Sequence, residues 1–213
     1  MTFAEFKKSI SKVKKIELSG AEFHEEMAPR KRREQMKKWD PVKKKPFKAG
    51  VLALFFPGSS GETKLLLILR KKYEGVHSGQ IALPGGRMEV QDKNLLETAL
   101  RETWEEVGAE PRNIEIWREL TEIYIPPSNF LVRPFLGTID ETPRFVPQES
   151  EVEAIIEVDL NHFLDESFLI ETQMTTSYAT NITVRAFQFN EHIVWGATGM
   201  ILNEVKALLK MVL

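Results

Sequence analysis

The chain has 213 residues, 42% hydrophobic and 28% charged, with a formal net charge of −2 and no cysteine. This is the ordinary globular mixture, far from a disordered or membrane composition, and the missing thiols remove disulfides, thiolate metal sites and cysteine nucleophiles together. The start "MTFAEFKKSISKVKK" lacks a signal-peptide apolar run, and no segment approaches the roughly 18–20 apolar residues of a membrane span. The expectation is therefore a cytoplasmic chain with no membrane partner.

In chain order, Phe3, Phe6, Ile10 and Val13 recur at helical spacing and predict an opening amphipathic helix. A second helix is expected over about 21–38. Residues 30–48 hold ten Lys or Arg against Glu34 and Asp40 alone. That run suits a solvated basic helix and linker, or the phosphates of a nucleic acid or an anionic ligand. "WDPVKKKPFKAG" reads as a linker. From Ala49, "AGVLALFF", the turn-rich "PGSSGET" and "KLLLILRKK" predict a hairpin. Further strand candidates are "IEIWRELTEIYI", "FLVRPFLGTI", "VEAIIEVDL", "FLIETQMTT" and "ITVRAFQF", punctuated by prolines. Helices are expected at about 94–107 and from Gly196 onward. In the last of these Ile201, Val205, Leu208 and Val212 form one apolar stripe, read as core before a homodimer seam. The fold class is thus mixed α/β, with a β-rich middle and helices laid against it. Residues 1–48 form an N-terminal extension and 49–213 the main domain.

The stretch "LPGGRMEVQDKNLLETALRETWEEVGAE" carries the chemistry. Helical spacing places Glu102, Glu105 and Glu106 on one face, with Leu96, Ala99, Leu100, Thr103 and Val107 on the face that packs. Like charges at this spacing repel by roughly 0.2–0.5 kcal/mol per pair. An arbitrary acidic helix is usually a solvated face, but Gly85 and Gly86 just upstream allow main chain to approach a ligand or cation closely. Hard oxygen donors without Cys or clustered His select Mg²⁺ or Mn²⁺ over zinc.

Gly86, Asp92, Arg101, Glu102, Glu105, Glu106 and Gly108 occupy a pattern that resembles the Nudix box. Asp92 in place of the usual Glu, and one extra residue before Arg101, are similar to the coenzyme A pyrophosphatase branch of that family. So are "HSGQIALPGG", "YIPPSNFLVRPFLG" and "VWGATGMIL". The resemblance covers about residues 49–209. It implies an α/β/α sandwich with a mixed central sheet and a Mg²⁺-dependent (or Mn²⁺-dependent) pyrophosphatase acting on a small-molecule diphosphate. It also implies site roles: Glu102, Glu105, Glu106 and the Gly86 carbonyl as metal ligands, Glu102 and Glu105 with Arg101 as the catalytic group, and Arg70, Gly79 and Gly85 toward substrate. His77, beside the glycine-rich approach, either touches phosphate or makes a structural hydrogen bond to the loop. The branch's coenzyme A motif is departed from at Ile68, Lys71, Gly75 and Leu83, where it has Thr, a small residue, Arg and Phe.

Several residues carry two readings. Glu149, Glu151 and Glu153 are solvated or supply a base from outside the box. Tyr124, Phe130 and Trp195 are core or line a pocket, while His24, His162 and His192 show no ligand spacing. Coenzyme A or acyl-CoA is the expected substrate, with ADP-ribose or a similar derivative as the alternative. A non-catalytic sensor or nucleic-acid module ranks third, because a chain without catalysis has little use for an intact carboxylate cluster.

Overall fold

The computed structural model describes residues 1–17, 19–29, 33, 44–72, 78–176 and 179–213. Strands β1 (Phe47–Pro57) and β2 (Thr63–Arg70) form the expected hairpin, with Phe55 opposite Leu65. Beside β1 runs β7 (Phe130–Ile139), parallel to it from Phe47↔Phe130 to Phe55↔Thr138. The short β3 (Ile81–Ala82) and the strand β8 (Val152–Asp159) pair with β2, and β4 (Gly85–Arg87) pairs with β1. Strands β5 (Ile114–Glu119) and β6 (Ile123–Ile125) both pair with β7, completing a mixed sheet. A separate antiparallel sheet contains β9 (Leu169–Thr176), β10 (Ala179–Phe189) and β11 (His192–Val194).

Alternation along β1 and β2 builds two cores. Leu52, Leu54, Phe56, Leu66 and Ile68 are buried against Ala99 and Val107 of helix α3 (Leu95–Val107). Ala53, Phe55, Leu65 and Leu67 face the opposite side, with helices α1 (Phe3–Ile10), α4 (Leu160–Leu164) and α5 (Gly196–Lys210). The result is an α/β/α sandwich. Of the expected stripe, Ile201, Val205 and Leu208 on α5 and Val212 just beyond its end all pack into this second core.

The N-terminal segment belongs to the same core. The Phe6 ring lies 5.0 Å from that of Phe55, and Arg118 of β5 donates to the Val13 carbonyl at 2.8 Å and to that of Ile16. Helix α2 (Gly20–Met27) lies on α5, where His24 Nε2 meets Glu204 Oε2 at 2.9 Å with both side chains 1% exposed. The helix expected over 21–38 does not run through: Ala28 is extended (ψ 131°), because the following Pro29 disfavours the helical region for it. Most of the basic run beyond it falls outside the described residues. "IEIWRELTEIYI" also divides into two strands. Between them, Thr121 turns its amide and hydroxyl to the Glu204 carboxylate, at 3.0 and 2.9 Å, instead of to the ladder.

Candidate active site

Helix α3 is fixed at both ends and along one side. Asn94 accepts the Glu97 amide at 3.0 Å as N-cap, and Gly108 ends the helix in the left-handed region at φ 75°. The helix lies so close to β1 that a Cβ on Gly50 would stand 2.1 Å from the Leu95 carbonyl oxygen. On the far side of Gly50 the Pro-Gly-Gly corner is equally tight: Gly85 has φ 142°, and a Cβ there would be 2.3 Å from the Gly50 carbonyl oxygen. A Cβ on Gly86 would sit 2.4 Å from the Glu102 carboxyl carbon. These glycines bring main chain against the carboxylate face.

Arg101 offsets the repulsion among the acids. Its Nε and Nη2 fork onto Asp92 at 2.9 and 3.0 Å, Nη1 reaches Glu105 at 2.9 Å, and Nη2 also meets Glu102 at 3.0 Å and the Arg87 carbonyl at 3.1 Å. The guanidinium holds the Asp92 carboxyl down to about 2, with help from the Glu89 amide and the Thr98 hydroxyl. Glu105 stays largely exposed, whereas Glu102 is mostly buried and its pKa is raised by that burial.

Glu106 is the most deeply placed acid of the site at 1% exposure. It accepts the Gly85 amide at 2.8 Å, and its nearest cation is Arg70 at 3.4 Å. Burial pushes its carboxyl up to about 7. Arg70 arrives there at a bulge: the β2–β8 register slips between Leu69↔Ala154 and Arg70↔Val152, and bulges re-aim side chains in this way. Its Nε is buried with no partner among the described residues. The same junction brings up Glu151, whose charge acts on both Glu102 and Glu106 and whose carbonyl accepts the Lys71 amide at 2.8 Å. Of the three glutamates weighed in the 149–153 segment, Glu151 is the one that appears in the electrostatics of both acids.

Beside the Gly85–Gly86 corner opens a cavity of about 360 Å³, lined by Arg70, Val51, Leu83, Phe130, Trp195 and Ile201 among others. Phe130 and Trp195 therefore line a pocket, whereas Tyr124 is buried and donates to Asn129 at 3.0 Å. Of the residues read from sequence, Arg70, Gly85, Gly86, Glu102 and Glu106 come together, and Glu105 joins them through Arg101. Gly79 (φ 64°) lies at the foot of the β2–β3 connection, its amide donating to the Lys71 carbonyl at 3.3 Å, outside the cavity lining. His77 and Gly75 lie outside the described residues. Ile68 faces the α3 core, so that departure from the coenzyme A motif does not reach the cavity, whereas Leu83 does. The contacts of Arg70 and Glu151 depend on the bulge and on β2–β8 pairing, which no local spacing announces.

This constellation falls within residues 46–173, which match the family model described as the NUDIX domain, and the chain belongs to the Nudix family. Among its relatives, the mitochondrial Nudix hydrolase 15 of Arabidopsis thaliana is 32% identical over 76% of this chain. This chain spans 59% of that protein's length. The mouse mitochondrial coenzyme A diphosphatase NUDT8 is 31% identical, over 66% of this chain and 68% of its own. The fold is shared with a MutT/nudix family protein from Enterococcus faecalis, at TM-score 0.50 and 18% identity over 91% of this chain and 73% of that one.

Nudix hydrolases generally use divalent metal ions. Among the described residues no three acids or imidazoles are drawn into a ready-made cluster. The donor set nevertheless fits such an ion. Glu102 and Glu106 are hard oxygen donors held in surroundings that disfavour their charge, and the main chain of Gly86 lies against Glu102 with no side chain between.

Proposed function

We propose that this chain is a Nudix pyrophosphohydrolase that cleaves the diphosphate of coenzyme A or an acyl-CoA, using Mg²⁺ or Mn²⁺. The products are a 4′-phosphopantetheine and adenosine 3′,5′-bisphosphate. One observation carries the reading: buried Glu106 and half-paired Arg70 meet at the glycine corner that forms one end of the apolar cavity. The names of relatives point the same way, since two coenzyme A diphosphatases, from mouse mitochondria and Caenorhabditis elegans peroxisomes, are 31% and 29% identical to it.

When bound, the divalent ion neutralises diphosphate oxygens and lowers the pKa of a coordinated water. Glu102 and Glu106 would hold it, with the Gly86 carbonyl beside them. Arg101 fixes Glu102 and Glu105 in place through its fork on Asp92. Arg70, whose Nε lacks a partner among the described residues, is a cation placed to fork onto diphosphate oxygens. Glu105, held by Arg101, and Glu151, whose charge is felt by Glu102 and Glu106, are the carboxylates available to orient the attacking water. The leaving group is itself a phosphate, so it departs without a dedicated acid.

A second reading keeps the chemistry and changes the substrate to ADP-ribose or a related derivative. Gly75, in the position of the branch's second Arg, favours it. The test is mass spectrometry of products from coenzyme A and ADP-ribose in one Mg²⁺-containing mixture, with wild type beside Glu106→Gln. The expected result is 4′-phosphopantetheine and adenosine 3′,5′-bisphosphate from wild type alone. Turnover of ADP-ribose only would replace the substrate, and silence on both would lead to a wider panel of diphosphates and then to the sensor reading.

A further inference from the structure

The cavity floor is a strip of sheet with two chemically different ends. On β1, Val51, Ala49 and Phe47 alternate onto one face. Gly85 lies opposite Val51, and Arg87 lies opposite Ala49 on β4. On the other side Phe130 of β7 is level with Phe47. At the inner end the strip meets Arg70 and the glutamates through Gly85 and Gly86. At the outer end Phe47 is 45% exposed, its ring 5.6 Å from that of Phe130 and capped by the Arg87 guanidinium at 4.0 Å. No carboxylate pairs with the Arg87 side chain among the described residues. Lys44 and Lys45, both exposed, precede Phe47 in the chain.

The geometry points to a phosphate-reading rim: Arg87, presented on Phe47, binds a second phosphoryl group of the substrate, one carried on the nucleoside and separate from the diphosphate. The spacing suits this. From the level of Gly86 to that of Phe47 is three residues of strand, roughly 10 Å at about 3.3 Å each, too far for one phosphate to touch both ends. A nucleoside diphosphate with a further 3′-phosphate places anions at both, whereas ADP-ribose offers none to the rim. The contact with the ring seats the guanidinium over Phe47, and its fork of donors is available to phosphate. The inference rests on the substrate reading above and names the group that would set its specificity.

Its test has two independent arms. In the first, KM is measured for coenzyme A and for 3′-dephospho-coenzyme A with wild type, Arg87→Ala and Arg87→Lys. The expected ratio favours coenzyme A in wild type, falls by roughly tenfold in Arg87→Ala as one charge-assisted contact is lost, and recovers in part in Arg87→Lys. An equal loss on both substrates would assign Arg87 to the diphosphate, and an unchanged ratio would remove it from recognition; either overturns the rim. In the second arm, calorimetry compares binding of adenosine 3′,5′-bisphosphate and AMP to the full chain without turnover. Arg87-dependent preference for the bisphosphate in a protein inert toward coenzyme A would retire the proposed reaction and keep the rim. Equal binding of the two nucleotides would do the reverse. Arg87 and Phe47 are both exposed, and unchanged circular dichroism of each variant establishes that the differences are local.

Discussion

At the scale of single residues, the site separates acids that are compensated from acids that are not. Asp92 receives a two-point fork from Arg101, a backbone amide and a hydroxyl, and its carboxyl is held to about 2 against an ordinary 3.8. A depressed carboxylate pKa stabilises the folded state fully above about 4, and that contribution is lost as pH falls through about 2. Asp92→Asn should therefore cost about 1–2 kcal/mol in urea unfolding at pH 7, with the gap to wild type closing between pH 4 and pH 2; a gap constant with pH would show that packing, not charge, holds the corner. Glu106 is the opposite case, a buried carboxylate with one amide donor and one long contact to Arg70 at 3.4 Å. Burial raises its pKa to about 7, so once ionised it opposes folding, and a neutral isostere removes that cost. Glu106→Gln should thus unfold about 1–3 kcal/mol later than wild type at pH 8 in a chelator, while losing diphosphate hydrolysis. The identity of these acids was legible from helical spacing, but their unequal compensation was not, since it depends on which main-chain amides and arginines other strands deliver.

At the scale of elements, the sequence discloses what is long and periodic. The β1–β2 hairpin, β7, β8, the glutamate helix and α5 all stand where apolar runs and periodicity place them. Strands β3, β4 and β11 have two or three residues, too few for alternation to register, and yet β4 carries the glycines of the site. What sets the α3–β1 distance is equally silent in any pattern, because it is the absence of a side chain at Gly50. Gly50→Ala forces its Cβ onto the Leu95 carbonyl, which is backbone and cannot yield cheaply. A loss of about 2–4 kcal/mol is expected by denaturant unfolding, in the range of overpacked cores. At Gly86 the atoms nearest the new methyl are the carboxylate end of the Glu102 side chain and not backbone. Gly86→Ala should therefore keep its unfolding midpoint close to that of wild type and lose at least tenfold in kcat, since a carboxylate displaced by an ångström is badly aimed. If both variants lost stability alike, the corner would be a packing device alone.

At the scale of the whole molecule, the motif-bearing stretch completes one core and leaves the other to be closed from outside. Residues 46–173 match the family, while one of the two cores is closed by α1, α2 and α5, outside that range. Phe3, Phe6, Ile10, Val13 and Met27 are all at most 7% exposed. Burial of each is worth roughly 1.5–3 kcal/mol, so the five together rival the 5–15 kcal/mol by which a domain is usually stable. The attachment is also polar and specific. His24 and Thr121 both bind the buried Glu204 carboxylate, joining α2, the β5–β6 connection and α5. Because α5 also brings Trp195, its N-cap, and Ile201 to the cavity wall, the N-terminal helices support the pocket from behind. A chain begun at residue 47 should lose the cooperative unfolding transition and expose apolar surface, seen as dye binding and aggregation at micromolar concentration. The milder His24→Ala should cost about 2–4 kcal/mol, leaving Glu204 buried with fewer partners, and should weaken substrate binding in the proposed reaction. A soluble 47–213 fragment with native urea stability and undiminished turnover would instead mean that the N-terminal segment merely covers a domain complete without it.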